Sequence, residues 1–244
     1  MRHLRAVLFD IDDTLYSTTD FAARARRNAL QAMVDLGLRA SLDDLHRELA
    51  EAIAEFGSNY EHHFEKLLER LPPAATRGLN RAVIVAAGIA AYHDAKFAIL
   101  KPFPDVLPAL RRLSHTYLVR GIVTDGLAIK QAEKIVRLGI YPLLSPQAVF
   151  ISDQIGISKP NPKIFTRACS DLDLAPEEVM VVGDHPVKDI DAANAAGCRT
   201  VLVRRGGRHQ EDRGRTKPDF EIRQFGKLLS ILSGRFNVRA ASTP

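Results

Sequence analysis

The chain has 244 residues, 46% hydrophobic and 26% charged, ordinary globular proportions that allow one large domain or two modest ones. Two cysteines, Cys169 and Cys198, exclude a disulfide framework or a zinc spacing, and the longest apolar stretch, the eleven residues Ala82–Tyr92, is too short to cross a membrane. The formal charge of +5 is spread over many arginines without interleaved aromatics, which argues against a nucleic-acid partner and suits a small anionic substrate.

The first apolar run, Arg5 to Phe9, reads as a strand that ends abruptly in Asp10-Ile-Asp12-Asp-Thr14. It is too short for a signal peptide, so a cytoplasmic location is expected, with no membrane association. The hydrophobic period then changes from two to 3.6. A helix is expected from Asp20 to Gly37, a second from Ser41 to Gly57, a third from Tyr60 to the Pro72-Pro73 stop, and a fourth from Thr76 to about Phe97. Four helices with no intervening strand cannot be crossover connections, so 16–99 reads as a helical insert beside a main domain of 1–15 and 100–234.

From Lys101 onward helices and strands alternate. Helices are expected near 105–114, 128–138, 161–172, 187–196 and 224–232, and strands at 117–123, 148–151, 179–182 and 200–203. Repeated βα units imply a parallel, Rossmann-like sheet with helices on both faces, whose ligands bind beyond the carboxyl ends of the strands. The basic stretch from Arg204 to Lys217 reads as a mobile, solvated loop, and 235–244 as a loose tail.

Four polar clusters follow strands. Asp10 and Asp12, spaced i, i+2, can point to the same side and share one small ligand, most simply Mg²⁺. Thr124-Asp125-Gly126 offers a hydroxyl and backbone N–H groups to phosphate oxygens at a helix start. Lys159-Pro160 can hold an ammonium at one spot against Asp10 and a phosphoryl group. Gly183-Asp184 repeats the first design, so Asp184 can complete an oxygen-rich metal site. Asp189, five residues on, could cap its helix, orient Lys159 or hold metal-bound water. Each piece alone also suits an ordinary turn, cap or surface position.

Taken in order, Asp10-x-Asp12-x-Thr14, Thr124 with Gly126, Lys159-Pro160 and Gly183-Asp184-x-x-x-x-Asp189 resemble the haloacid dehalogenase (HAD) superfamily. The helical insert resembles its C1 cap. The resemblance implies a Mg²⁺-dependent phosphatase in which Asp10 is the nucleophile and Asp12 the general acid and base. It further implies that Asp10, Asp184 and the Asp12 carbonyl bind metal, that Thr124, Asp125 and Lys159 bind phosphate, and that Thr14 and Asp189 support them. On this reading Asp12 needs a raised pKa. An acid at position 12 sets the chain apart from the dehalogenases, whose halide leaving group needs no proton. The absence of lysine from Tyr16 to Glu65 argues against phosphonatase chemistry. A phosphomutase and a non-catalytic phosphate-binding regulator are the alternatives. The pattern is most similar to archaeal and bacterial HAD hydrolases, some described as glyceraldehyde 3-phosphate phosphatases, which makes that triose phosphate the leading substrate expectation. The oligomeric expectation is a monomer or homodimer.

Overall fold

A computed structural model of the chain describes residues 3–239. Six parallel strands, β1 (Ala6–Phe9), β2 (Val119–Thr124), β3 (Val149–Ile151), β4 (Val179–Gly183), β5 (Arg199–Val203) and β6 (Phe220–Ile222), form one sheet in the order β3-β2-β1-β4-β5-β6. Every residue of β1 is buried, as a strand covered on both faces requires. On one face Ala6 and Leu8 pack with Ile164, Phe165 and Ala168 of α8 (Lys163–Asp171). Phe9 stacks on Phe225 of α10 (Phe225–Phe236), with ring centroids 5.7 Å apart. Burial of each such aromatic contributes about 2–3 kcal/mol.

The chain divides into two compact units, one holding everything up to Thr18 and from Lys101 onward, the other Thr19–Leu100. The second is all helical: α1 (Thr18–Asp35), α2 (Leu42–Phe56), α3 (His63–Arg70) and α4 (Arg81–Ile99). Its core joins Leu30 and Met33, Leu45 and Leu49, Leu67 and Leu68, and Ile84 and Val85. Gly88 of α4 admits the Met33 thioether; a Cβ there would stand 2.9 Å from the sulfur.

α4 starts five residues later than the Thr76 signal suggested. Pro73–Thr76 forms a 3₁₀ turn, Gly78 takes a positive φ, and Asn80 caps the helix by accepting the N–H groups of Ala82 and Val83. In the first unit α5 (Val106–Ser114), α6 (Ala128–Arg137) and the short α7 (Ser152–Ile155) precede α8, and α9 (Ala192–Ala195) precedes β5.

Three expectations need correction. The helix over 187–196 is a π-helical turn over Pro186–Asp191 that passes into α9; such turns occur mostly at functional sites. The Arg204–Lys217 stretch is a tied loop: Arg204 donates to the carbonyls of His209, Gln210 and Asp212, and Asp191 accepts the backbone N–H groups of Arg215 and Thr216. Arg205 makes two bonds to Asp105, at 2.8 and 3.0 Å, and lies over the rings of Phe103 and Phe225. The loop leads into β6, which has too few residues between charged neighbours to show a period. Finally, α10 continues through Arg235 and Phe236 and Val238 is buried, so the expected loose tail does not begin at 235. Residues 240–244 lie outside the described residues.

Candidate active site

Because β1 lies between β2 and β4, the residues leaving these strands meet at one rim. Phe9 is level with Ile122 on one side and Val182 on the other, and Asp10 N–H continues the ladder to Val182 O at 2.9 Å. The carboxylates of Asp10, Asp184 and Asp189 each offer an oxygen within 4.8 Å of the others, and all three residues are buried. Lys159 reaches into the same place. Its Nζ donates to Asp10 Oδ1 at 2.6 Å, Asp189 Oδ1 at 2.7 Å and Val123 O at 3.2 Å, with a side chain only 3% exposed. The Lys159–Pro160 peptide is cis, and Lys159 N–H donates to Asp125 Oδ1 at 2.9 Å, which pins the lysine loop to the end of β2.

Three carboxylates are buried here around one ammonium, which bonds only two of them, Asp10 and Asp189. Burial is the main force on Asp10, raising its pKa against the pull of Lys159, and with Asp189 and Asp12 nearby it reaches about 7. Burial, then the charges of Asp10 and Asp189, push Asp184 up to about 8. A cluster short of positive charge, made only of carboxylate oxygens, fits a hard divalent cation such as Mg²⁺.

Asp189 belongs to this cluster. The π-helical turn brings it back toward β4, where Oδ2 accepts the His185 N–H at 3.0 Å while Oδ1 holds Lys159. Its carboxylate lies so close to Gly183 that a Cβ on that residue would overlap it, which explains glycine at the strand end. Thr14 is buried and donates to Asp184 Oδ1 at 3.2 Å. It is aimed there by Asp13, whose φ of 54° makes the chain turn sharply. Thr124 is buried at the end of β2, 3.5 Å from Gln131 Oε1. The Asp125 carboxylate is occupied by Lys159 N–H and, at 3.3 Å, by Lys188 Nζ. Any phosphate contact from that residue falls to its backbone.

Asp12 departs from expectation. Its carboxylate is absent from the Asp10–Asp184–Asp189 cluster, because β1 ends at Phe9 and strand alternation does not carry over to residue 12. It turns instead to Lys134 of α6, whose Nζ lies 2.6 and 2.7 Å from the two oxygens, and accepts the hydroxyls of Tyr16 at 2.7 Å and Thr18 at 2.8 Å. Burial alone would raise the Asp12 pKa, but the charge and hydrogen bond of Lys134, with the two hydroxyls, outweigh it and hold the carboxyl below its ordinary value. The expected rise is therefore reversed. Lys134 and Gln131 were not singled out from the sequence. Their only signal is a spacing of three on the helix that follows Thr124-Asp125-Gly126, which puts them on one face.

A family model for haloacid dehalogenase-like hydrolases matches residues 4–197. The chain belongs to that family. Among its relatives, this hydrolase is 47% identical to the glyceraldehyde 3-phosphate phosphatase of Methanopyrus kandleri over 234 residues, covering 94% of this chain and 97% of that protein. It is 38% identical to the protein of the same name from Pyrococcus furiosus, with coverage of 95% and 94%. Among solved structures, an HAD phosphatase from Thermococcus onnurineus superposes with a TM-score of 0.68 at 25% identity, covering 95% of this hydrolase and 99% of that chain. A 2-haloacid dehalogenase from Pseudomonas syringae reaches 0.62 at 23% identity, with 94% and 98% covered, and shares the fold. Among the described residues, no helix of the hydrolase is long and apolar enough to cross a membrane.

Proposed function

We propose that this hydrolase is a Mg²⁺-dependent phosphatase that cleaves a small phosphorylated metabolite through an aspartyl-phosphate on Asp10. Glyceraldehyde 3-phosphate, or a similar triose or sugar phosphate, is the leading substrate. The observation that carries this reading is the buried cluster of Asp10, Asp184 and Asp189 around Lys159 at the carboxyl rim of the sheet. The name shared by the M. kandleri and P. furiosus relatives supports the substrate. In this reading the helical unit Thr19–Leu100 is the cap that selects the substrate.

Asp10, Asp184 and the backbone carbonyl of Asp12 would hold the metal, with Asp189 behind them. When bound, Mg²⁺ supplies the missing positive charge and withdraws charge from the phosphoryl oxygens. Lys159 holds Asp10 Oδ1 in place, while its ammonium offsets the charge of the incoming phosphate. Thr124 Oγ1 and the N–H groups after it receive phosphate oxygens.

An Asp10 oxygen forms a bond to phosphorus as the ester P–O bond breaks, and the leaving alkoxide takes a proton from Asp12. In the second step Asp12, now a carboxylate, removes a proton from water. The resulting hydroxide attacks phosphorus, the bond to Asp10 breaks, and phosphate leaves. Lys134 and the two hydroxyls favour the carboxylate form of Asp12 that the second step requires. The negative charge of a phosphate arriving beside Asp10 raises its proton affinity and supplies the acid form for the first.

The test is release of phosphate from p-nitrophenyl phosphate and from a panel of triose, sugar and nucleotide monophosphates, with Mg²⁺ and with EDTA. Metal-dependent turnover that vanishes in Asp10→Asn is expected. No release from any ester by the pure protein with Mg²⁺ refutes the phosphatase reading, and a preference for nucleotides refutes the substrate.

A further inference from the structure

The proposed mechanism has no task for Lys134, yet its ammonium makes the closest contacts of the Asp12 carboxylate. The bonds on the two oxygens are unequal. Oδ1 accepts from Tyr16, Thr18 and Lys134, whereas among the described residues Oδ2 accepts only from Lys134, at 2.7 Å, and from Gln131 Nε2, at 3.5 Å. The hydroxyls can therefore hold one oxygen but cannot stop the group rotating about it. Lysine contacts both oxygens and fixes the plane.

The helix that presents Lys134 is itself tied to the site. Gln131, three residues earlier on the same face of α6, donates to Asp125 O at 2.7 Å and lies beside Thr124. The turn proposed to bind phosphate and the amine that grips Asp12 thus belong to one rigid piece. An ion pair on an open helix surface would be worth little and carry no such implication. Here the Lys134 side chain is 17% exposed, its ammonium also lies 5.9 Å from the Tyr16 ring centroid, and its partner is one residue beyond the neighbour of the nucleophile.

We infer that Lys134 is the positioning residue for Asp12, holding its carboxylate in the orientation from which the leaving group is protonated. This rests on the phosphatase reading with Asp12 as acid and base. In this role Lys134 acts through the Asp12 carboxylate. Its influence is felt where a proton must be delivered in flight, so it depends on the ester. An alkoxide leaving group needs the proton as the P–O bond breaks, whereas p-nitrophenolate leaves without one. The quotient kcat/KM covers steps up to the first irreversible one and excludes hydrolysis of the aspartyl-phosphate. A general loss of positive charge near the phosphate affects both esters alike, and loss of the Lys134 charge would by itself favour the acid form of Asp12, so a loss confined to the alkyl ester reports orientation.

The experiment measures kcat/KM of the full chain with saturating Mg²⁺ for p-nitrophenyl phosphate and for glycerol phosphate, in wild type, Lys134→Met, Lys134→Arg and Asp12→Asn. Thermal unfolding confirms that each variant is folded. General acid catalysis contributes about 10²–10⁴-fold. Lys134→Met should therefore lose about 100-fold on glycerol phosphate and less than about tenfold on p-nitrophenyl phosphate, with Lys134→Arg recovering most of the alkyl-ester rate. Equal losses on the two esters, or no loss on either, overturn the positioning role while leaving the phosphatase intact. A wild type that hydrolyses neither ester, or an Asp12→Asn variant with no bias between them, shows that the underlying reading has failed and removes the role of Lys134 with it.

Discussion

Competition between protons and Mg²⁺ for the buried carboxylates would offer the most quantitative test of the proposed metal site. In the metal-free protein Asp10 titrates at about 7 and Asp184 at about 8, first because both are buried and then because acids crowd them. A cation needs both ionised. Because the charge of one acid raises the other, the two lose their protons as a linked pair, and affinity should rise by more than about tenfold from pH 6 to pH 8. Binding should displace more protons at pH 6 than at pH 8. Calorimetric titration of Mg²⁺ in two buffers of different ionisation enthalpy measures both quantities. The stability trend has the opposite sign. Unfolded, both acids titrate near 4, so between about pH 4 and 8 the metal-free native state binds more protons and loses stability as pH rises; saturating Mg²⁺ should remove that trend. An affinity that changes by less than about tenfold from pH 6 to 8, with heats independent of buffer, would refute the assignment of Asp10 and Asp184 as a proton-loaded cation site.

Other perturbations follow from the same geometry. Replacing Lys159 by Met leaves Asp10 and Asp189 without their shared partner and should cost about 3–5 kcal/mol in urea unfolding with EDTA, part of it recovered by Mg²⁺; a change under about 1 kcal/mol would mean that the lysine is not integral to the cluster. Gly183→Ala drives a methyl group into the Asp189 carboxylate and should destabilise by about 1–3 kcal/mol while lowering turnover, and an unaffected melting curve would contradict the packing described. Asp12→Asn should lower turnover of an alkyl phosphate by about 10²–10⁴-fold yet keep calorimetric Mg²⁺ binding, since its carboxylate faces Lys134 and not the metal cluster. An unchanged rate would remove the acid–base assignment.

Much of the architecture was legible because strands covered on both faces are continuous apolar runs, and the acids that end them stand out. Ala6–Phe9 and Val179–Gly183 are such runs, and their following residues, Asp10 and Asp184, meet as the alternation of strands and helices implied. The helical stripes of α1 and α2 were readable for the corresponding reason, one apolar face at a period of 3.6. What escaped lies where local pattern carries no information. Lys134 and Asp12 are 122 residues apart, and no spacing along the chain announces that an exposed-looking helix residue will meet an acid. The expectation of a raised Asp12 pKa failed there, because it considered the neighbouring carboxylate and not the distant ammonium. The π-helical turn over Pro186–Asp191 differs from the expected α-helix over 187–196 by about one residue per turn, which so short an apolar pattern does not resolve. Arg204–Lys217 looked mobile because its ties are to backbone carbonyls and to Asp191 and Asp105, none of which composition reveals.

The wide turn after Asp184 makes one more demand on the chain. Asp189 and Ile190 are consecutive, and both N–H groups reach back to the same carbonyl, that of His185, at 2.9 and 3.4 Å. One side chain grips an ammonium while its neighbour is sealed in the greasy interior, 1% exposed. Dropping a single amino acid ahead of them would move every following residue back by one place, setting the alkyl branch of Ile190 against Lys159 and the carboxylate of Asp191 in the oily interior. The length of this stretch is thus as much a condition for the carboxylate cluster as the acids themselves, and tolerance to insertion or deletion should be lowest here among the connections at this rim.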